Sequence, residues 1–247
     1  QKPSSAASDV YKRQALAWLQ QTSATDTVAE QHFIAITACP QKAQNFGIHT
    51  NNILTMWDWV GGRYSVWSSV GLPIAIKIGM AGFREFLAGA AAMDEHFRQA
   101  PLDQNLPALM ALVGLWNNNF LNYHQLAILP YDQRLQHLPV YLQQLDMESN
   151  GKQVNRAGET ISHATGPIVF GEVGTNGQHA FHQLLHQGSH IVACDFIAFA
   201  RPAHNFADHH EALLANMLAQ SQALMTGRDQ QQTLQVLLAQ GMSEQYA

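Results

Sequence analysis

The sequence predicts a doubly wound α/β fold with mostly parallel sheets. Short runs rich in β-branched and aromatic residues alternate with helical runs, beginning with HFIAIT at 32–37 and NILTMW at 52–57, which flank a helical stretch near 41–46. This order is typical of a βαβ unit. Later strands are predicted at 125–129, 168–172 and 190–197, each followed by a helical segment. Such continuous apolar runs are expected of parallel strands buried on both faces.

Two domains are predicted, with a boundary near residue 101. The helical spacing of residues 68–97 is broken by Pro101 and Asp103, which places a first domain at 15–100 and a second at 101–247. The first fourteen residues, QKPSSAASDVYKRQ, are polar and lack the apolar core of a signal peptide. We therefore interpret residues 1–14 as a leader that is not native to the fold.

Composition excludes several function classes. Only 13% of the residues are charged and 47% are hydrophobic, and the net charge of −5 comes without a basic run, which argues against nucleic acid or a membrane surface as partner. No stretch reaches the length of apolar residues that spans a bilayer. Cys39 and Cys194 form neither a disulfide framework nor a CxxC unit, so a reducing cytoplasm is the simplest location.

The segment DWVGGRYSVWSSVG, residues 58–71, is the first candidate for chemistry. Gly61 and Gly62 permit a tight turn with close backbone approach, and Arg63 offers a fixed cationic fork for an oxyanion or a phosphate. Local chemistry alone favours the plainer alternative, a strand-end turn with a structural arginine.

The segment QQLDMESNGK, residues 143–152, is the second candidate. A predicted helix ends there in a polar turn that presents Asp146, Glu148 and Lys152, and a carboxylate in such a turn can act as a general base. The plainer alternative is a solvated helix end.

The segment GEVGTNGQHAF, residues 171–181, is the third candidate. A strand that runs through Gly174 and Gly177 into a helix over 180–187 forms an anion-facing turn. This prediction puts His179 at the first turn of that helix, where the helix dipole disfavours an imidazolium.

Metal and serine-nucleophile chemistry have little support. His182 and His186 have the i, i+4 spacing of a metal pair, but the glutamate of a zincin motif and a third ligand at defined spacing are missing. The nucleophile motif GxSxG of serine hydrolases does not occur in the sequence.

Taken together, these segments resemble the glucose-6-phosphate isomerase family. Residues 58–71 match one of the family's two signature patterns, and ILPYDQ, DMESNGK, the run from 165 to 198 and DHHEALLANMLAQSQALMTG follow in the family's order and spacing, so that the resemblance covers 15–227. It implies two subdomains of the sugar-isomerase (SIS) type, both incomplete. Residues 15–100 would be the C-terminal part of the first with connecting helices, and 101–247 most of the second, truncated at its C-terminus.

The resemblance also implies a reaction and its residues. Glucose 6-phosphate and fructose 6-phosphate would interconvert, in glycolysis and gluconeogenesis, by ring opening and proton transfer through a cis-enediolate, with no metal or organic cofactor. Glu148 matches the base, Arg63 the group that stabilises the enediolate, and His179 the ring-opening acid or base, which in this family serves the partner subunit of a homodimer. Gln144 and the backbone of Gly62 match substrate contacts.

The sequence also departs from the family pattern. Leu145 and Val173 replace a usual glycine and proline, which affects the expected turn geometry. The family's Ser/Thr-rich phosphate clamp would precede Ala15, and the helix with its second signature and catalytic lysine would follow Ala247. We therefore expect the chain alone to be an inactive fragment. Two alternatives stay open: a noncatalytic fragment that binds sugar phosphate, and a related SIS isomerase acting on mannose or glucosamine phosphates.

Overall fold

The computed structural model describes residues 3–22 and 27–243. The chain divides into two compact units, Gln1–Gln99 and Ala100–Ala247.

The first unit contains a small parallel βαβ motif. Its elements, in order, are α1 (Pro3–Thr22), α2 (Val28–His32), β1 (Ala35–Thr37), α3 (Pro40–Asn45), β2 (Ile53–Thr55) and α4 (Leu72–Gln99). β1 and β2 pair in parallel with Ala35 opposite Ile53, which confirms the predicted unit. α1 includes residues of the stretch interpreted as a leader, and that interpretation stays a prediction. α4 is interrupted at Gly79, whose φ of 77° falls in the left-handed region that favours glycine.

The second unit is built on a three-stranded parallel sheet. The strands are β3 (Gln125–Pro130), β4 (Ile168–Gly171) and β5 (Ala193–Ile197), and their order is β4, β3, β5. The helices are α5 (Leu106–Leu115), α6 (Leu138–Leu142), α7 (Glu148–Asn150), α8 (Gly174–Ala180), α9 (His182–Gln187), α10 (Ala207–Thr226) and α11 (Gln230–Ala239). This arrangement confirms an α/β fold with parallel strands.

Local sequence explains where α5 and α11 begin. The Asn105 side chain accepts a hydrogen bond from the Ala108 amide and Pro107 lies in the first turn, which together start α5. At α11 the side chain of Asp229 accepts from the Gln232 amide while the Gln232 side chain accepts from the Asp229 amide, a reciprocal capping box.

β3 is the centre of the core. The cluster of fully buried side chains is Ala127, Leu129 and Tyr131, which alternate along β3 and just past its end and therefore point to one face of the sheet. Side chains from β4, α9, β5 and α10 pack against them: Phe170, Leu185, Cys194, Phe196, Leu213 and Met217, among others. That face is covered by α9 and α10.

Three predicted elements differ from the structure. The predicted hairpin over 152–165 contains a single antiparallel bridge, between Val154 and Thr160, and no strand pair. Helical structure expected to end near residue 145 continues through Asn150. The helix expected over 180–187 is preceded by α8, which begins six residues earlier, at Gly174.

Within the ranges 3–22 and 27–243, no helix has both the length and the apolar character required to cross a bilayer.

The contact between Gly174 and Tyr131 gives the first prediction. A Cβ at position 174 would lie 2.2 Å from Cε2 of the buried Tyr131 ring, so Gly174→Ala must displace a core aromatic. We expect it to lower the free energy of unfolding by about 1–3 kcal/mol. The measurement is urea denaturation of the full-length protein, meaning the complete product of the reading frame that carries this chain.

Gly114→Ala is the matched control. Gly114 is also helical, in α5, and nothing lies within 4 Å of a Cβ there, so the change should be neutral or stabilising by up to about 1 kcal/mol. Equal midpoints for the two variants would show that Tyr131 does not restrict position 174.

Candidate functional site

Glu148 lies on a helical segment that contains a wide turn. The segment runs from α6 through a π-helical turn, Gln143–Met147, into α7, which begins at Glu148. Gln144 Nε2 donates a hydrogen bond to Glu148 Oε2 at 2.8 Å, and both side chains are exposed. The structure thus brings together two of the predicted site residues. Isolated π-helical turns occur frequently at functional sites.

Two neighbours of this pair fix the segment to the sheet. Gln143 Nε2 donates to the carbonyl oxygen of Val169 at 3.0 Å, and the Val169 amide donates to Met147 Sδ at 3.4 Å. Val169 belongs to the edge strand β4, so these side chains hold backbone groups that an edge strand otherwise leaves open. The π-helical turn is therefore attached to β4 through Gln143 and Met147, while the side chains of Gln144 and Glu148 are exposed.

The polar residues around Glu148 have different partners. Asn150 Nδ2 donates to Asp146 Oδ1, and Lys152 Nζ donates to the main-chain oxygens of Glu148 and Ser149. Lys152 therefore covers carbonyls at the end of α7, as cationic side chains commonly do at helix C-termini. The structure corrects the expected polar turn: Glu148 lies inside the last helical turn, and the chain leaves the helix after Asn150.

Arg63 and Gly62 lie in the first unit, after β2. They begin a short 3₁₀ helix, Gly62–Trp67, in which Gly62 has a φ of 60° that only glycine adopts readily. Ser65 Oγ donates to the Gly62 carbonyl at 2.7 Å and stabilises the turn. A Cβ on Gly61 or Gly62 would meet nothing within 4 Å, so the backbone there is open to a ligand. The Arg63 side chain is exposed.

His179 lies at the end of α8 and is exposed. The helix begins at Gly174, so His179 is in its last turn, and the expectation that it occupies a first turn is wrong. The expected contact of this imidazole with a helix N-terminus is therefore absent within α8. The cause is that Gly174 and Gly177, weak helix formers, are helical here.

The connections that carry Glu148 and His179 lie on opposite faces of the sheet. β3 leads to β4 on one side and β4 leads to β5 on the other side of β3, and right-handed crossovers in opposite directions pack on opposite faces. The packing agrees, since Phe181, just after α8, contacts the face that holds Leu129 and Tyr131. Phe170, whose side chain also packs on that face, pairs edge-on with Phe181.

The two departures from the family pattern fit the local backbone. Val173 precedes α8 with a φ of −53°, a value that proline also adopts, and its carbonyl accepts the first helical hydrogen bond, from the Gly177 amide at 2.8 Å. Leu145 lies within the π-helical turn and is half-buried. Both residues therefore occupy regular positions next to the site.

Sequence reasoning missed a partly buried set of hydrogen-bonded side chains beside His179. Gln178 Nε2 donates to Tyr131 Oη at 3.2 Å and to Asn216 Oδ1 at 2.5 Å. Gln178 is 47 positions from Tyr131 and 38 positions from Asn216 in sequence, and only the fold brings the three residues together. The one local signal is that Gln178 and Tyr131 belong to the quoted motifs GTNGQHAF and ILPYDQ.

The histidine pair considered for metal binding has a different environment. His182 is buried and stacks on Phe181, and its ring centroid lies 6.3 Å from that of His186. Burial lowers the pKa of His182. Among the described residues, no three or more His, Cys, Asp or Glu side chains form a group that could hold a metal ion.

Comparison with known proteins links this arrangement to one family. The family model described as Phosphoglucose isomerase matches residues 8–244. The glucose-6-phosphate isomerase of Hahella chejuensis is 52% identical over 230 residues, which cover 93% of this chain and 41% of that protein. The glucose-6-phosphate isomerase of Xanthobacter autotrophicus is 58% identical over 215 residues, which cover 86% of this chain and 39% of that protein.

A solved structure agrees with these sequence relatives. The crystal structure of a glucose-6-phosphate isomerase from Chlamydia trachomatis superposes with a TM-score of 0.76 at 38% identity, covering 91% of this chain and 43% of that one. The chain therefore spans about two fifths of the length of the relatives it matches.

Proposed function

Because the chain belongs to the phosphoglucose isomerase family, we propose that it forms part of an aldose–ketose isomerase that interconverts glucose 6-phosphate and fructose 6-phosphate. The observation that carries the proposal is the exposed Glu148 carboxylate, whose Oε2 accepts a hydrogen bond from Gln144 at the attached helix end. A general base requires a carboxylate that is oriented but accessible, and this arrangement supplies both.

Glu148 moves the proton in the proposed reaction. After the sugar ring opens, its carboxylate takes the proton from C2, and the electron pair of that C–H bond forms the cis-enediolate. Glu148 then delivers a proton to C1 while a hydroxyl proton passes from O2 to O1, so the substrate is isomerised without net oxidation or a cofactor. While Glu148 holds the proton, that proton can exchange with solvent. Gln144 contacts substrate and, through its 2.8 Å hydrogen bond, holds the Glu148 carboxylate in one orientation.

Arg63 stabilises the enediolate charge in this proposal. Its guanidinium is permanently charged, so it lowers the energy of an oxyanion without exchanging a proton. The turn that begins at Gly62 leaves space beside its backbone, which supports a substrate contact there. Both residues come from the GGR turn of the signature pattern.

His179 opens the sugar ring in the partner subunit's site of a homodimer. The support for this assignment is the arrangement within one chain, where the connections that carry Glu148 and His179 pack on opposite faces of the sheet. On this proposal, each site of the dimer combines the base of one subunit with the acid of the other. We further propose that the enzyme works in the reducing cytoplasm, with sugar phosphate as its only small-molecule partner.

Assays of the full-length protein distinguish the proposed reaction from two other functions. A noncatalytic sugar-phosphate-binding protein would bind substrate without turnover, and a related SIS isomerase would prefer mannose or glucosamine phosphates. The continuous motifs DMESNGK and GTNGQHAF favour the glucose 6-phosphate reaction over that of a related SIS isomerase.

Replacing the base tests the role of Glu148. Glu148→Gln preserves shape and the contact with Gln144 but removes the proton acceptor, so turnover in the full-length protein should fall by about 10²–10⁴-fold with substrate still bound. The measurement is steady-state conversion of fructose 6-phosphate coupled to a dehydrogenase. Asp146→Asn is the matched control, since it removes a neighbouring carboxylate charge and keeps an acceptor for Asn150. Near-normal turnover of Glu148→Gln would remove Glu148 from this role.

Mixing two inactive variants tests whether His179 acts across subunits. A dimer of one Glu148→Gln subunit and one His179→Gln subunit has one site that lacks both groups and one that lacks neither. Random exchange should therefore restore roughly a quarter of the sites. The same treatment of either variant alone provides the background. Proven heterodimers without recovered activity would place base and acid in the same chain.

The 247-residue chain alone should not isomerise glucose 6-phosphate at a useful rate. Holding a substrate in reactive geometry supplies on the order of 7–11 kcal/mol of catalysis in favourable cases, and the family's phosphate clamp is expected outside this chain. Binding energy from a non-reacting phosphate also offsets distortion at the reacting carbons. Exposed apolar side chains on and after α5, including Met110, Val113 and Trp116, should also lower solubility.

The test is a turnover measurement on the purified chain after its folding is checked by near-ultraviolet circular dichroism. The full-length protein, assayed in parallel, provides the reference rate. A rate within about tenfold of that reference would contradict the argument from positioning.

A further inference from the structure

α8 is too short to hold His179 in place by itself. It has seven residues, Val173 provides no side-chain cap, and two of its residues are glycines, which each disfavour a helix by about 1 kcal/mol. Isolated helices of this length are not stable in water. The position of His179 must therefore come from contacts that α8 makes with the rest of the second unit.

Tyr131 contacts α8 at two points on one face. Its ring lies against Gly174, close enough that a Cβ there would be 2.2 Å from Cε2, and its hydroxyl accepts a hydrogen bond from Gln178 Nε2 at 3.2 Å. Gly174 and Gln178 are four residues apart and so share a helix face. Contacts at both ends of one turn fix the rotation of the helix about its axis.

Gln178 also links α8 to α10. Its Nε2 donates to Asn216 Oδ1 at 2.5 Å, so both hydrogens of this amide are used, one on Tyr131 and one on Asn216. Tyr131 is 1% exposed and its backbone amide donates to the Ile197 carbonyl at 2.7 Å, which ties the phenol to the end of β5. Burial raises the pKa of Tyr131, so the hydroxyl remains neutral and available as an acceptor.

We propose that Tyr131, Gln178 and Asn216 are positioning residues that set the location of the His179 imidazole for ring opening. His179 follows Gln178 directly and points to the exposed side of α8. A rotation of α8 would displace the imidazole, and a misplacement of about 1 Å can reduce a rate by about 10²-fold. The inference rests on the proposed function, because it concerns the step assigned to His179.

The experiment separates ring opening from proton transfer with two substrates. Fructose 6-phosphate must open its ring before it reacts, whereas 5-deoxyfructose 6-phosphate lacks the hydroxyl that closes the furanose and is already open. Exchange of the C1 proton with D₂O, followed by NMR in the full-length protein, measures proton transfer for both. His179 is required for the first substrate and not for the second.

Gln178→Met and Gln220→Met form a matched pair of variants. Gln178 connects α8 to α10 through Asn216, and Gln220 connects α9 to α10 through a 3.1 Å contact with His186 Nε2 one turn further along. Gln178→Met should reduce kcat for fructose 6-phosphate by roughly 10–100-fold with little change in KM, and leave the acyclic substrate within about threefold. Gln220→Met should leave both substrates within about threefold.

Asn216 and Tyr131 provide independent variants in case Gln178→Met does not fold. Asn216→Leu removes the acceptor and should reproduce the selective loss, whereas Asn216→Asp keeps an oxygen for Gln178 and should restore turnover. Tyr131→Phe removes one of the two hydrogen bonds and should cause a smaller selective loss, because the ring contact with Gly174 remains.

The results that would overturn the positioning role differ from the results that would overturn the role of His179 itself. Equal slowing of both substrates, no slowing of either, or the same effect from Gln220→Met would overturn the positioning role. A His179→Gln variant assayed alongside tests the proposed function itself. If it keeps full turnover of fructose 6-phosphate, the assignment of His179 fails; if it loses turnover and Gln178→Met does not, only the positioning role fails.

Discussion

Burial of β3 is the constraint on which the second unit depends. Ala127 and Leu129 are fully buried, and Tyr131 just past the strand is 1% exposed. β3 is the first strand of this sheet in sequence and also its central strand, so the two later strands, β4 and β5, lie on either side of it. The chain therefore reverses direction across the sheet after β4, and the connections on its two sides pack against different faces.

Because of this reversal, the connection that carries Glu148 and the connection that carries His179 pack on different faces of the sheet. The connection before β4 attaches through Gln143 and Met147 to the backbone of Val169 and presents Glu148. The connection after β4 packs through Phe181 on the opposite face and presents His179. On the proposed function, each site of a dimer combines Glu148 of one subunit with His179 of the other.

The sequence correctly predicted the elements that are encoded by a continuous run of apolar residues with helix or strand breakers at its ends. The unit β1–α3–β2 and the strands β3 and β5 follow from apolar runs bounded by breakers, and the motif residues follow from the family resemblance. The sequence could not predict the π-helical turn at Gln143–Met147, because it depends on Val169, more than twenty residues away. The predicted hairpin over 152–165 failed for the opposite reason: residues 151–160 are all exposed, so no packing against the core extends the pairing beyond one bridge.

α8 shows why helix propensity predicted the wrong position for His179 within its helix. Gly174 and Gly177 predict a loop, yet a side chain at 174 would collide with the Tyr131 ring and one at 177 would lie 3.0 Å from the Phe181 ring. The glycines that weaken the helix locally are thus the ones that let it approach the core. Its stability comes from Tyr131 and Asn216 instead of from its own sequence. The location of His179 is therefore a property of the packed core, and it should change whenever the end of β3 is repacked.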